Sequence, residues 1–239
     1  MPRKKDIEEK LKCGPSCLIG RGTRFSVPEI FDLCNVKSQV AYQMLSENIE
    51  VSHWQALAEI IAKELNNGAA GVVIPHGTDT LGYTAAALSF LLKNLSGPVA
   101  LAGVQRSSDR PSSDAAQSLI AATTVAATAD IGEGVVVMHG ETSDTFSTIH
   151  RGTKVRKFHT SRRDAFQTVN DLPLGNVENG FITLDAPYRK KTTGPVISDT
   201  NMEEDGTVIV HDIPMSVRTS QHASIFCRTR PYQNRCYHR

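Results

Sequence analysis

Thr78 and Asp79 set a hydroxyl and a carboxylate side by side where an apolar run stops and a helical pattern begins. The run before them, Val72-Val73-Ile74-Pro75, has the length of a buried strand. Behind them, Thr84 to Leu92 repeats apolar residues at helical spacing. Open α/β sheets hold their ligands outside the carboxyl ends of strands, so the string His76-Gly77-Thr78-Asp79-Thr80 is placed to face a crevice. A hydroxyl there can attack a substrate or hold a water, provided a neighbouring base takes its proton. The competing assignment is structural, because Thr and Asp are common caps of a helix start.

The elements around this string alternate. Pro28 to Val36 reads as a short helix and Val40 to Leu45 as a strand-like apolar run ended by Ser46, Glu47 and Asn48. Ser52 with Gln55 has the form of a capping box, and Trp54, Leu57, Ile61 and Leu65 give a helix one apolar face until Asn66-Asn67-Gly68. A strand at Gly71–Pro75 is followed by a helix at about 83–93, a strand at about 98–104, a polar loop at 105–116 and an alanine-rich helix at 114–127. Gly134 to Met138 is a further strand. Strand–helix alternation with short connections requires parallel pairing through crossover helices, which predicts a doubly wound, mainly parallel α/β sheet. Past Met138 the alternation fades into a polar stretch, with Lys154, Arg156, Lys157, Arg162 and Arg163 within ten residues. Such a run by itself is ordinarily a solvated face. The expected organisation is an unassigned segment 1–27, an α/β domain over 28–200 and an irregular tail 201–239.

Composition narrows the classes. With 40% hydrophobic and 21% charged residues, the 239-residue chain has a globular balance, and its net charge of +1 argues against a general nucleic-acid-binding surface. No apolar run approaches the length of a membrane span, and no apolar core follows the charged N-terminus, so a cytoplasmic protein is expected. The five cysteines do not form a disulfide framework, and Cys13-x3-Cys17 would need Cys227, Cys236, His222 or His238 to complete a zinc site; reduced, unrelated thiols are expected instead. No nucleophile-elbow, phosphate-loop, dinucleotide or zinc-protease signature is present.

His76 to Thr80 resembles the second signature of the bacterial-type asparaginase family. The longer match resembles one branch of it, the D-type chains of archaeal glutamyl-tRNA(Gln) amidotransferases. Amide hydrolysis needs an activated nucleophile, donors for the oxyanion and a proton for the departing ammonia. The resemblance supplies a lysine base in a segment that ends in an aromatic nine residues on, which matches Lys157 before Phe166. Lys154 and Arg156 are the rival positions. The resemblance further implies that Ser46 and Glu47 grip the amino acid's carboxylate and amino groups, that Asp79 shares the amino contact while orienting the lysine, and that Gly77 and the backbone at Gly103 and Val104 lie beside the substrate amide. It implies no cofactor in this chain, with ATP and Mg2+ used by the E-type partner of the amidotransferase. Glutamine is the implied ammonia donor, because 105–116 resembles the D-type version, and Glu-tRNA(Gln) the indirect partner. A homodimer within a heterotetramer and no membrane association complete the picture.

The match covers about 28–200 and departs from the family at one functional point. The family's first catalytic threonine sits in a Gly-Gly-Thr-Ile run on the opening strand, and this chain has no such run. Gly20-Arg21-Gly22-Thr23 is the nearest string, but it is followed by Arg24 and Phe25 and stands too close to Ser46, so Thr23 is not assigned as a nucleophile. The opening strand, the β-barrel domain of the D-type chains and the second asparaginase domain are expected to be missing. Hydrolysis is expected to be lost or nearly so without that threonine. A free asparaginase and an inactive chain that only binds a partner are the alternative functions.

Overall fold

In the computed structural model the described residues are 17–18, 24–25, 30, 33–107 and 110–201. Cys13, Thr23, His222, Cys227, Cys236, His238 and the tail beyond Asn201 lie outside them. The chain divides into two units, Met1–Thr200 and Asn201–Arg239.

Three strands run parallel as the alternation predicts. β3 (Val72–Pro75), β5 (Val99–Ala102) and β6 (Gly134–His139) pair in the order β3-β5-β6, with Ile74 opposite Leu101 and Leu101 opposite Val136. The sheet then continues antiparallel through β7 (Ser147–Arg151), β10 (Gly175–Glu178) and β11 (Phe181–Leu184). Its order is β11-β10-β7-β6-β5-β3, which leaves β3 at an edge among the described residues. Short hairpin connections past His139 make antiparallel pairing possible where no crossover helix intervenes. Six smaller strands pair in twos: β1 (Cys17–Leu18) with β2 (Arg24–Phe25), β4 (Leu92–Lys93) with β12 (Ile197–Ser198), and β8 (Val155–Lys157) with β9 (Phe166–Thr168).

Helices cover both faces of the parallel strands, so the α/β class holds. α3 (Ala115–Thr128) lies on the face formed by Ala100, Ala102, Val135 and Val137; its Ala121, Ala122, Val125 and Ala126 are buried there. Small side chains on both surfaces let helix and sheet backbones approach closely. α2 (Leu81–Leu91) packs against β6 on the opposite face, burying Leu81, Thr84, Ala85, Leu88 and Leu91. α1 (Val51–Asn66) packs on α2 through the stripe Leu57, Ala58, Ile61, Ala62 and Leu65. Gly68, at φ +95°, ends α1 in the left-handed region, which a glycine adopts without steric cost.

Several sequence expectations are corrected. α1 starts one residue before Ser52: Glu50 and His53 form the reciprocal cap, with the Glu50 N–H donating to His53 Nδ1 at 3.0 Å, so the Ser52–Gln55 box does not form. Val40 to Leu45 is not a strand. It has no ladder partner among the described residues, and Val40 (62% exposed) and Leu45 (65% exposed) face outward, ahead of a 3-10 turn at Ser46–Asn48. Apolar content alone does not make a strand without a neighbouring edge to satisfy its backbone. α2 ends at Leu91 and not at 93, because Leu92 and Lys93 leave the helix to pair with Ser198 and Ile197. Of the expected 28–36 helix, Ile30 and Leu33 are helical, and Cys34 N–H donates to the Ile30 carbonyl at 3.2 Å.

Candidate active site

The mouth of β3 is built by a turn whose side chains are not used for capping. Thr80 is the N-cap residue of α2 and makes no side-chain cap bond. Its hydroxyl donates instead to the Ser46 carbonyl at 2.8 Å, which ties the 46–48 turn to the β3–α2 connection. Thr78 and Asp79 are left to point elsewhere. The capping assignment therefore fails for both residues.

Their partner is Lys157. Its Nζ donates to Thr78 Oγ1 at 2.7 Å and to Asp79 Oδ1 at 2.9 Å. Strand alternation explains why this cation and not a neighbour reaches the site: Val155 and Lys157 share one side of β8 and Arg156 the other. Arg156 instead places its guanidinium 5.8 Å from the Tyr83 ring centre. Lys154 lies in the turn before β8. The lysine side chain is 15% exposed and the Asp79 side chain 68% exposed. An ion pair with so wet a carboxylate contributes at most about 1 kcal/mol, so its value here is directional.

The wall opposite Lys157 comes from the end of β5. A Cβ built on Gly103 would meet Thr78 Cγ2 at 2.8 Å and Leu81 Cδ1 at 3.0 Å, so any side chain there would displace the threonine. The Gly103 N–H meets the Met138 sulfur at 3.2 Å. Val104, half-buried, follows it. Gly77 makes a second close approach, where an added Cβ would come 2.6 Å from Ser46 Oγ. Ser46 is thus buried against the residue preceding Thr78, while Glu47 is exposed beside it. The predicted residues Ser46, Gly77, Thr78, Asp79 and Lys157 are therefore neighbours in a chain of contacts, and Gly103 leads into Val104 at its back.

A further set of polar contacts lies behind these residues. Trp54 Nε1 donates to Thr84 Oγ1 at 2.9 Å, and Thr84 Oγ1 lies 3.0 Å from His76 Nε2. His76 Nδ1 lies 2.7 Å from the Gly77 carbonyl, which only accepts, so Nδ1 carries the proton and the Thr84 hydroxyl donates to Nε2. Burial holds this imidazole below its ordinary pKa, partly offset by the Gly77 bond, which keeps it neutral. Asp114, fully buried, accepts from the backbone N–H of Gln105 at 3.0 Å and of Arg106 at 2.9 Å. Burial pushes its carboxyl upward, but His139 and these N–H groups more than offset that and bring it below the usual carboxylate value. An acid just before a helix is the visible signal at Asp114; its partners nine and eight residues upstream are not visible.

No group of three or more His, Cys, Asp or Glu side chains suited to a metal occurs among the described residues. Cys34 is a free thiol, raised in pKa by burial. No helix among them is long and apolar enough to cross a membrane.

Comparison with known proteins gives the family. The family model described as Asparaginase, N-terminal matches residues 9–189, beginning upstream of Pro28. This chain belongs to the asparaginase family. Among its curated relatives, the D subunit of glutamyl-tRNA(Gln) amidotransferase from Pyrococcus furiosus is 56% identical over 181 residues, which is 75% of this chain and 41% of the relative. The corresponding protein of Thermococcus kodakarensis is 53% identical over 186 residues, 77% of this chain and 42% of that protein. The chain thus spans about two-fifths of the length of these relatives. Among solved asparaginase-family structures, the thermostable L-asparaginase of Thermococcus kodakarensis superposes with TM-score 0.61 and 28% identity, covering 70% of this chain and 48% of its own. A probable cytoplasmic L-asparaginase from Campylobacter jejuni gives TM-score 0.62 and 29% identity, with coverages of 71% and 52%.

Proposed function

We propose that this asparaginase-family chain acts as the amidase portion of a D-type amidotransferase chain. It binds glutamine at the β3 mouth and supplies side-chain ammonia for conversion of Glu-tRNA(Gln) to Gln-tRNA(Gln) by a partner of the E type, which would use ATP and Mg2+. Within that reading the working assembly is a homodimer inside a heterotetramer, in the cytoplasm. The observation that carries the reading is the Lys157 ammonium at hydrogen-bond distance from both Thr78 and Asp79.

The chemistry follows from what each group can hold. Once the Lys157 ammonium has passed a proton to solvent, its free amine takes the Thr78 hydroxyl proton, and Thr78 in turn takes a proton from the attacking oxygen. That oxygen forms a bond to the side-chain amide carbon, and the carbonyl electrons move onto oxygen. Collapse of the tetrahedral species breaks the carbon–nitrogen bond, and the proton held by Lys157 leaves with nitrogen as ammonia. Asp79 keeps the lysine aimed at Thr78 and faces the substrate's amino group, with Ser46 and Glu47 completing the grip. Since the Gly-Gly-Thr-Ile run is absent, the attacking oxygen in this chain is a water and turnover is slow.

The test is ammonia release from glutamine and from asparagine by the 239-residue chain. The reading expects weak release favouring glutamine, lost in Thr78→Ala and Lys157→Met. Release unchanged in both variants, or a preference for asparagine, overturns it. The missing threonine run favours a second reading, an inactive chain that only binds its partner. Glutamine-independent capture of an E-type partner together with no ammonia release in any variant would select it.

A further inference from the structure

Arg163 stands in the loop that joins β8 to β9, the hairpin that presents Lys157. Its Nη2 donates to the Ser112 carbonyl at 2.7 Å, and its Nη1 pairs with Asp144. Ser112 is held at φ +58°, a conformation that a serine seldom adopts unless its surroundings impose it. Asp144 is also fastened by its backbone carbonyl, which accepts from Gln117 Nε2 at 2.6 Å. From Asp144 the contacts run inward: its Oδ1 lies 3.8 Å from His139 Nδ1, and His139 Nε2 lies 3.4 Å from Asp114 Oδ2. The His139 and Asp114 side chains are fully buried, and neither ring nitrogen of His139 has a hydrogen bond of good geometry. Asp114 ends the series by accepting the Gln105 and Arg106 N–H groups.

This series spans the site. One end is the loop beyond Lys157, and the other is the backbone that follows Gly103, the residue whose missing side chain makes room for Thr78. We propose that Arg163, Asp144, His139 and Asp114 are positioning residues: a polar bridge, exposed at Asp144 and buried at His139 and Asp114, that holds the Lys157 hairpin and the Gly103–Arg106 wall in register, so that Lys157 stays at bonding distance from Thr78. Asp114 alone would anchor the wall, and Arg163 alone would anchor the loop. The imidazole stands between Asp114 and Asp144, 3.4 Å from one carboxylate and 3.8 Å from the other, and so links the two anchors.

The bridge rests on the amidase reading for its purpose but not for its test. In the full 239-residue chain, Arg163→Met, Arg163→Lys, Asp144→Asn and the double variant Arg163→Met/Asp144→Asn are compared by three readouts. These are the ammonium N–H signal of Lys157 in 15N NMR, amide exchange across 105–113, and ammonia release from glutamine. Arg163→Met should erase the Lys157 signal and speed exchange at 105–113 by about tenfold. It should also lower kcat by about tenfold with little change in KM. Arg163→Lys should restore part of each, and the double variant should be no worse than the worse single one. Asp144→Asn keeps shape and serves if Arg163→Met does not fold. An intact Lys157 signal with unchanged exchange at 105–113 in Asp144→Asn and Arg163→Met overturns the bridge, as does full additivity of the two substitutions. Absence of ammonia release from the wild-type chain counts against the amidase reading alone, since the NMR and exchange results still decide the bridge.

Discussion

Lys157 and Phe166 stand directly opposite each other across the β8–β9 ladder. The nine-residue interval between a cation and an aromatic is therefore a register: eight loop residues close a hairpin, and the Phe158 N–H bonds the Ala165 carbonyl at 2.7 Å beside the pair. Phe166 is 1% exposed and among the largest fully buried side chains. The aromatic fixes the hairpin to the sheet, and the lysine opposite it is thereby aimed at Thr78.

Phe166→Ala should cost about 3–5 kcal/mol of stability, the range for deleting a buried aromatic. Urea unfolding followed by circular dichroism would show a lower midpoint. The Lys157 ammonium signal should disappear as well, and a destabilised variant that keeps that signal would break the link between the two residues.

Gly103→Ala should displace Thr78, because the added methyl would sit 2.8 Å from its Cγ2 and 3.2 Å from the His76 carbonyl. Overpacking at such a site costs about 1–3 kcal/mol. Ammonia release from glutamine should fall further than stability does, which parallel melting and activity measurements would separate.

Acid should weaken the fold through His150. This imidazole is buried under the β8–β9 hairpin; its Nδ1 bonds the Thr168 hydroxyl at 2.8 Å, and burial pushes its pKa down to about 4 from 6.5. Between those values the unfolded chain binds a proton that the folded chain refuses. Stability from this group is thus complete above about pH 6.5 and lost as pH falls toward 4, by up to about 3 kcal/mol. His76, also lowered by burial, acts in the same direction. Urea midpoints at pH 7 and pH 4.5 should differ less in His150→Gln than in the wild type.

Val40→Lys and Leu45→Lys should each leave the stability within about 0.5 kcal/mol of the wild type, as surface substitutions do. A loss of several kcal/mol in either would mean that this stretch is packed, as the strand expectation required. Thermal melts of both variants decide it.

The periodicity of Val72 to Ala127 and the His76–Thr80 string are enough to place a parallel β-α-β core and a reactive pair at a strand end, since alternation and short connections admit few topologies. The match around Lys157 is also readable, because a hairpin register is a local spacing. Three things needed the folded chain. Val40 to Leu45 has strand composition, but whether a strand forms depends on a neighbouring edge that no local pattern records. Antiparallel continuation from β6 to β7 is hidden in a polar stretch, since those strands are buried by contacts with distant segments such as Leu174 and Val177. Asp114, His139, Asp144 and Arg163 share no motif: they lie up to 49 positions apart, and only the packing of three loops at one end of the sheet brings their side chains within reach of one another.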